Sequence, residues 1–249
     1  MARAPRKKAG SVGPDTAKHI QDGIEKTIMM DFTIHQDFYL KQSHKLLYTK
    51  IHETSTNLVF VDGPSGSCKT YLGSLCGLEM LRDRKVEQII YIRSAVESAS
   101  RPLGSLPGEV NEKFLPYSMP LVEKINELVD RATCNQLFNK EFIKTIPVNF
   151  VRGLTFHNSY VIVDEAQNMD FSEITTILTR FGKNSKFVVL GDSKQADIGN
   201  KSCMPKIYNL FDDELSQQNG IHCFKLTNLD IVRSKILKFI TSKLEVSER

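Results

Sequence analysis

LVFVDGPSGSCKT, from Leu58 to Thr70, carries four consecutive apolar residues through an acid and straight into a turn of small residues that ends in Lys-Thr. A continuous apolar run of this length, rich in β-branched and aromatic side chains, reads as a strand buried on both faces of a sheet. After Thr70, Leu72, Leu75, Cys76, Leu78 and Leu81 supply the apolar face of a helix. A strand, a Gly/Ser turn and a helix N-terminus in that order make an anion cradle. Small residues let backbone N–H groups close around phosphate oxygens, and the helix dipole favours negative charge there. The cradle comprises Gly63, Pro64, Ser65, Gly66, Ser67, Cys68, Lys69 and Thr70. In such a loop Lys69 reaches the β- and γ-phosphates of a nucleotide and the Thr70 hydroxyl is a Mg²⁺ ligand. Cys68 stands where the pattern usually has glycine. If that position needs positive φ, a side chain there costs about 1 kcal/mol.

Outward from the turn, short apolar strands alternate with amphipathic helices. Strands are expected at Leu58–Val61, Gln88–Ile92, Tyr160–Val163, Phe187–Leu190 and His222–Leu226, and helices at Lys69–Leu81, Leu121–Val129, Phe171–Arg180 and Ile231–Leu244. This order predicts an α/β fold with a mainly parallel sheet and helices on both faces. Residues 1–22 mix Arg3, Arg6, Lys7 and Lys8 with Gly, Pro and Ser and read as a flexible basic tail, leaving 23–249 as a single domain. Ser94 to Pro120, with four prolines and two glycines, reads as a long loop.

Two further strands end in groups suited to phosphate chemistry. YVIVDEAQN, Tyr160 to Asn168, delivers Asp164 and Glu165. Asp164 would hold Mg²⁺, an ion that prefers one or two carboxylates, and Glu165 would orient or deprotonate an attacking water. Alone, a strand ending in Asp-Glu could be a solvated strand end; after a phosphate loop the functional reading prevails. KFVVLGDSKQ ends in Gly191, Asp192 and Gln195, and a Gln there can donate to a γ-phosphate or hold the water. Parallel sheets bind ligands at the carboxyl ends of their strands, where all three motifs fall.

The composition is ordinary for a globular protein: 41% hydrophobic, 25% charged, net charge +4. No apolar run approaches the roughly 18 residues of a membrane span, and the basic N-terminus lacks the apolar stretch of a secretory signal. Five cysteines without a C-x-x-C pair argue against a disulfide framework or zinc site, and a cytoplasmic location is expected.

These residues resemble the PhoH-like family, ATPases related to the nucleotide-binding core of superfamily 1 helicases. The resemblance runs from about Gln42 to Phe239. It is carried by GPSGSCKTYL, by AVE and LGSLPG within 95–108, and by EKFLPY, RGLT at 152–155, VDEAQN, the block from Leu178 to Asp197, and DIVRSKI from Asp230. Besides Cys68, Ser94 stands where the family usually has Pro, and Leu154 where it has a second Arg. The resemblance implies a RecA-like core that binds and hydrolyses ATP with Mg²⁺, as a homo-oligomer for which a hexameric ring is considered. Single-stranded RNA or another nucleic acid is the implied partner. It also implies Gln42 as an adenine reader, places for Arg93, Glu97 and Arg152 near the site, and Arg233 as an arginine finger. No nuclease activity is expected. Stand-alone versions of this length are common in phages, which would place the chain in a host cytoplasm. Two other readings stay open: a phosphotransferase, and a nucleotide-gated binding module in which Cys68 has blunted hydrolysis.

Overall fold

The computed structural model describes residues 31–36, 40–94, 110–232, 236, 239 and 240, the side chains of 110–117 excepted. The chain divides into two units, Met1–Phe32 and Thr33–Arg249, and every element below belongs to the second. In chain order these are α1 (Gln42–His52), β1 (Leu58–Asp62), α2 (Lys69–Arg82), β2 (Gln88–Arg93), α3 (Val110–Leu128), α4 (Arg131–Asn139) and β3 (Ile143–Pro147). There follow β4 (Ser159–Asp164), α5 (Phe171–Leu178), β5 (Lys186–Gly191), α6 (Met204–Phe211), α7 (Glu214–Gln218) and β6 (Ile221–Lys225).

The strands form one six-stranded sheet in the order β3-β2-β4-β5-β1-β6. Every neighbouring pair is parallel, with Phe60 opposite Val189 and Cys223, and Val161 opposite Phe187. Alternation along each strand sends half of the side chains to each face. On one face Phe60, Ile90, Ile92, Val161, Val163, Phe187 and Val189 pack with Ile174 and Ile177 of α5 and Met204 and Ile207 of α6. On the other lies α2, whose Leu72, Leu75 and Leu78 are fully buried. Gly77 permits that approach, because a Cβ there would come within 2.8 Å of the Tyr160 ring. The expected α/β class, a parallel sheet with helices on both faces, is the one observed. None of the described helices is long and apolar enough to cross a membrane.

The expected long loop is corrected in part. Residues 95–109 lie outside the described residues, but α3 begins at Val110, so Pro116 and Pro120 sit within a helix. Each proline removes one backbone donor. Leu121, Ile125 and Leu128, recurring at helical spacing and all fully buried, outweigh that loss by packing. Strand β3 was not anticipated: as an edge strand, IKTIP keeps a half-exposed middle and so lacks the continuous apolar run of an inner strand. Helices α4, α6 and α7 were also not anticipated, being nine, eight and five residues of mixed polarity too short for a clear period. The helix expected from Ile231 falls for the most part outside the described residues.

Candidate phosphate-binding site

The order β4-β5-β1 brings the three motif-bearing strand ends side by side. They border a cleft of about 340 Å³ whose lining includes Cys68, Lys69, Thr70, Asp164, Glu165 and Gln195.

The loop after β1 is shaped by two left-handed residues, Gly66 at φ 81° and Cys68 at φ 65°, ψ 21°. The positive φ suspected at position 68 is therefore observed on a residue with a side chain, at a cost of about 1 kcal/mol. Gly63 has no room for one: a Cβ would stand 2.7 Å from the Leu226 Cβ. Gly63, Pro64 and Ser67 shape the loop from behind the cleft, the Ser67 hydroxyl donating to the Pro64 carbonyl at 2.7 Å. Lys69 is the first residue of α2, and its ammonium donates to the carbonyls of Gly63 at 2.5 Å and Pro64 at 3.0 Å. Burial lowers its pKa, and the nearby carboxylates of Asp192 and Asp164 oppose that fall. The first amides of α2 have no carbonyl one turn back to receive them, which leaves the helix start suited to an anion.

Asp164 is buried and accepts from the Tyr91 hydroxyl at 2.7 Å, from the Thr70 hydroxyl at 3.2 Å and from the Glu165 amide at 3.0 Å. Burial, helped by the adjacent Glu165 charge, raises its pKa. A cation beside it would restore the charged form. A desolvated carboxylate with a hydroxyl against it is an oxygen donor set that fits Mg²⁺, which keeps most of its own waters. Among the described residues no group of three or more His, Cys, Asp or Glu gathers as a metal cage.

Glu165 occupies the left-handed region at φ 55°, which turns its side chain out of the strand line. It accepts from the Gln167 amide at 2.5 Å and faces the Arg93 guanidinium at 3.7 Å. The Gln167 carbonyl in turn accepts from the Asp192 backbone amide at 3.0 Å, and the Asp192 carboxylate accepts from the Ser65 amide at 3.1 Å. Burial raises the Asp192 pKa. At the end of the neighbouring β1, Asp62 accepts from the Ser193 amide at 2.8 Å and hydroxyl at 2.7 Å. Gln195 is exposed at the cleft, its amide bonded to the Asp192 carbonyl.

Gln42 is exposed in the first turn of α1 and does not line this cleft. Its neighbours bind the segment after β6: Lys41 donates to the Leu229 and Ile231 carbonyls, and Ser43 donates to Asp230. The Val232 amide donates to the Gly66 carbonyl at 3.0 Å, so that segment borders the loop. Arg233 and Glu97 lie outside the described residues. Arg152 is exposed in another groove, away from the cleft lining. Sequence reasoning missed Tyr91, which an apolar strand run conceals, Gln167, and Lys124 and Glu127, an ion pair of α3 at the cleft edge. The last two lie on the helix expected at Leu121–Val129, but nothing in the local sequence places that helix beside the cleft.

A glycine-rich turn between strand and helix, facing an acid-bearing and a Gln-bearing strand end of one parallel sheet, defines a P-loop nucleotide-binding fold. The sequence matches the family described as PhoH-like protein over residues 39–245, and the chain belongs to that family. It is 34% identical over 188 residues to a PhoH-like protein of Mycobacterium tuberculosis, covering 75% of this chain and 52% of the relative. A PhoH-like protein of Synechocystis is 30% identical over 237 residues, 94% of this chain and 70% of the relative. Protein PhoH of Escherichia coli K12 is 34% identical over 161 residues, 64% and 45%. The chain thus spans about half the length of several curated relatives that it matches. Among solved structures, that of Bacteroides sp Pif1 in complex with ADP-AlF4 is similar at a TM-score of 0.38 and 18% identity, over 82% of this chain and 45% of that one.

Proposed function

We propose that the chain is a Mg²⁺-dependent ATPase with a helicase-like core that acts on single-stranded nucleic acid, RNA foremost, as a homo-oligomer in the cytoplasm. The observation that carries this is the convergence of Lys69, Thr70, Asp164, Glu165 and Gln195, from three different strand ends, on one cleft. Residues 63–70 cradle the phosphates through backbone amides. Lys69 leaves its two loop carbonyls for the β- and γ-phosphate oxygens, a compact ammonium exchanging neutral acceptors for charged ones. Thr70 and Asp164 would hold Mg²⁺, which when bound neutralises charge on the phosphate oxygens. Glu165, steadied by Arg93 and Gln167, orients the attacking water and takes up its proton. Gln195 reports on the γ-phosphate, Gln42 reads the adenine edge, and Arg233 supplies a further cation from a neighbouring subunit.

The test is ATP turnover with Mg²⁺, measured with and without oligo(U) RNA or oligo(dT) DNA. Turnover stimulated by the strand is the expected result. Tight ATP binding without turnover in any condition would overturn the ATPase reading in favour of a nucleotide-gated module, and ADP formation only with a third acceptor would favour a phosphotransferase.

A further inference from the structure

A second groove, of about 490 Å³, lies between the Arg152–Gly153 turn and the exposed side of α5, and none of the phosphate-site residues line it. From Phe171 to Thr179 the helix rises about 12 Å along it, the length of three to four stacked nucleotides. Arg152 stands exposed at one wall and Arg180 closes the other end. Neither guanidinium forms an ion pair among the described residues. Arg180 spends its terminal nitrogens on the Leu154 carbonyl at 3.4 Å and the Thr179 hydroxyl at 3.2 Å, while its Nε is buried with no hydrogen-bond partner. Gly153, at φ 81°, would meet nothing within 4 Å if it carried a Cβ, so the space over that turn is open. Phe171 exposes 41% of its surface at the head of the helix, with the Lys206 ammonium 4.3 Å from the ring centroid. Thr175 and Thr179 donate back to their own helix at 2.6 and 2.9 Å, and the Thr179 oxygen accepts from Arg180. The acids of that turn, Asp170 and Glu173, are occupied with each other's backbone amides at 2.9 and 3.0 Å and do not line the groove.

We infer that this groove is a binding track for single-stranded nucleic acid, in which Arg152 and Arg180 hold phosphates and Phe171, backed by Lys206, is the platform for a base. Unpaired guanidinium groups flanking an exposed aromatic ring are the combination that a flexible polyanion with π-faces recognises. The inference rests on the nucleic-acid part of the proposed function and adds the site. The track begins close to the phosphate site, since Glu165, the short turn Ala166–Asn168 and α5 follow one another in the chain.

The experiment is fluorescence anisotropy of labelled oligo(U) RNA and oligo(dT) DNA on the full chain with a non-hydrolysable ATP analogue and Mg²⁺, across a salt series. The variants are Arg152→Ala/Arg180→Ala, Phe171→Ala and, as a control cation in the turn between α2 and β2 that does not line the groove, Lys85→Ala. The double variant should weaken binding at least tenfold and lower the slope of log affinity on log salt by about 1.4, at 0.7 per phosphate contact on a single strand. Phe171→Ala should weaken binding roughly tenfold with the salt slope unchanged. Lys85→Ala should match wild type, and binding of a fluorescent ATP analogue and the melting temperature should verify that each variant is folded. Losses on both strands assign the groove to single strands in general; losses on oligo(U) alone assign it to RNA. Wild-type affinity in folded double and Phe171 variants would overturn the groove while leaving the nucleic-acid reading intact. No binding of either strand by the wild-type chain would overturn both. Equal displacement of oligo(U) by polyglutamate would replace the strand with an acidic protein partner and overturn the inference.

Discussion

Cys68 offers a clean measure of backbone strain in the phosphate loop, because its φ of 65° places a side-chain-bearing residue where glycine is at ease. Cys68→Gly and Cys68→Ala both remove the thiol, so the difference between them isolates the backbone. Ala retains the left-handed cost of about 1–2 kcal/mol, whereas Gly relieves it. Glycine in turn gives the unfolded chain more freedom, worth about 0.4–1 kcal/mol against folding. The balance leaves Cys68→Gly more stable than Cys68→Ala by about 0.5–1 kcal/mol, or roughly 1–4 °C in melting temperature for a chain of this size. Scanning calorimetry or thermal circular dichroism, run without nucleotide, measures that gap. Equal melting temperatures, or a more stable Ala variant, would refute a left-handed backbone at position 68. ATP affinity provides a second reading: the loop curvature is unchanged in Cys68→Gly, so it should bind at least as tightly as wild type.

Glu165→Gln should bind ATP like wild type yet lower turnover by about 10²–10⁴, since the water loses its base while Thr70 and Asp164 remain; equal loss of binding in a filter assay would make Glu165 a ligand instead. Alkylation of the half-exposed Cys68 should inactivate the protein and be slowed by Mg-ATP, with mass mapping to separate it from half-exposed Cys223; labelling at Cys68 unchanged by saturating nucleotide would contradict its place in the cleft. Lys69→Ala and Arg233→Ala subunits, each inactive, should partly restore turnover when mixed into one oligomer, and no recovery in verified mixed oligomers would mean that Arg233 acts within its own subunit. Burial holds His44 below its ordinary pKa of 6.5, so the unfolded chain binds this proton more readily and stability is full above pH 6.5 and falls below it. Melting temperature followed from about pH 8 down to about pH 5 should drop more steeply for wild type than for His44→Asn, and parallel profiles would exclude that contribution.

The inner strands were legible because burial on both faces leaves an unbroken apolar run: LVFV, YVIV and FVVL each fall within β1, β4 and β5. Lys69, Thr70, Asp164, Glu165 and Gln195 could be foreseen because each lies at the end of one of those strands or beyond the short turn that follows it, so local sequence fixes its place at the sheet end. What escaped lies in relations between distant segments. Nothing near Tyr91 indicates that its hydroxyl meets a carboxylate 73 residues further on, because that contact exists only once β2 pairs with β4. The prolines of α3 point locally to a loop, and only packing of Leu121, Ile125 and Leu128 makes the helix intelligible. The groove beside α5 is likewise a tertiary product: Arg152 and Arg180 are 28 positions apart in a chain that crosses the sheet between them.

The strand order also says how the phosphate loop can be coupled to the rest of the molecule. With β5 between them, β1 and β4 stand two strand spacings apart, about 9–10 Å, and the loop reaches the β4 end directly only where Thr70 donates to Asp164, the residue before Glu165. The intervening strand end bridges that gap: Ser65 donates to Asp192, the Asp192 amide donates to Gln167, and Gln167 donates to Glu165. Any shift of the Ser65 amide toward a phosphate would therefore compete with its bond to Asp192, which connects through the buried Gln167 amide to the Glu165 carboxylate. From there Asn168, bonded twice to Asp197 at 2.9 and 2.8 Å, ties the same turn to the segment carrying Gln195 before α5 begins. A shift of the loop on nucleotide binding would therefore have a hydrogen-bonded route to the turn before α5, buried at the Asp192–Gln167 bond and exposed at the Asn168–Asp197 bonds. A groove along α5 is where such a link would be felt by a bound strand.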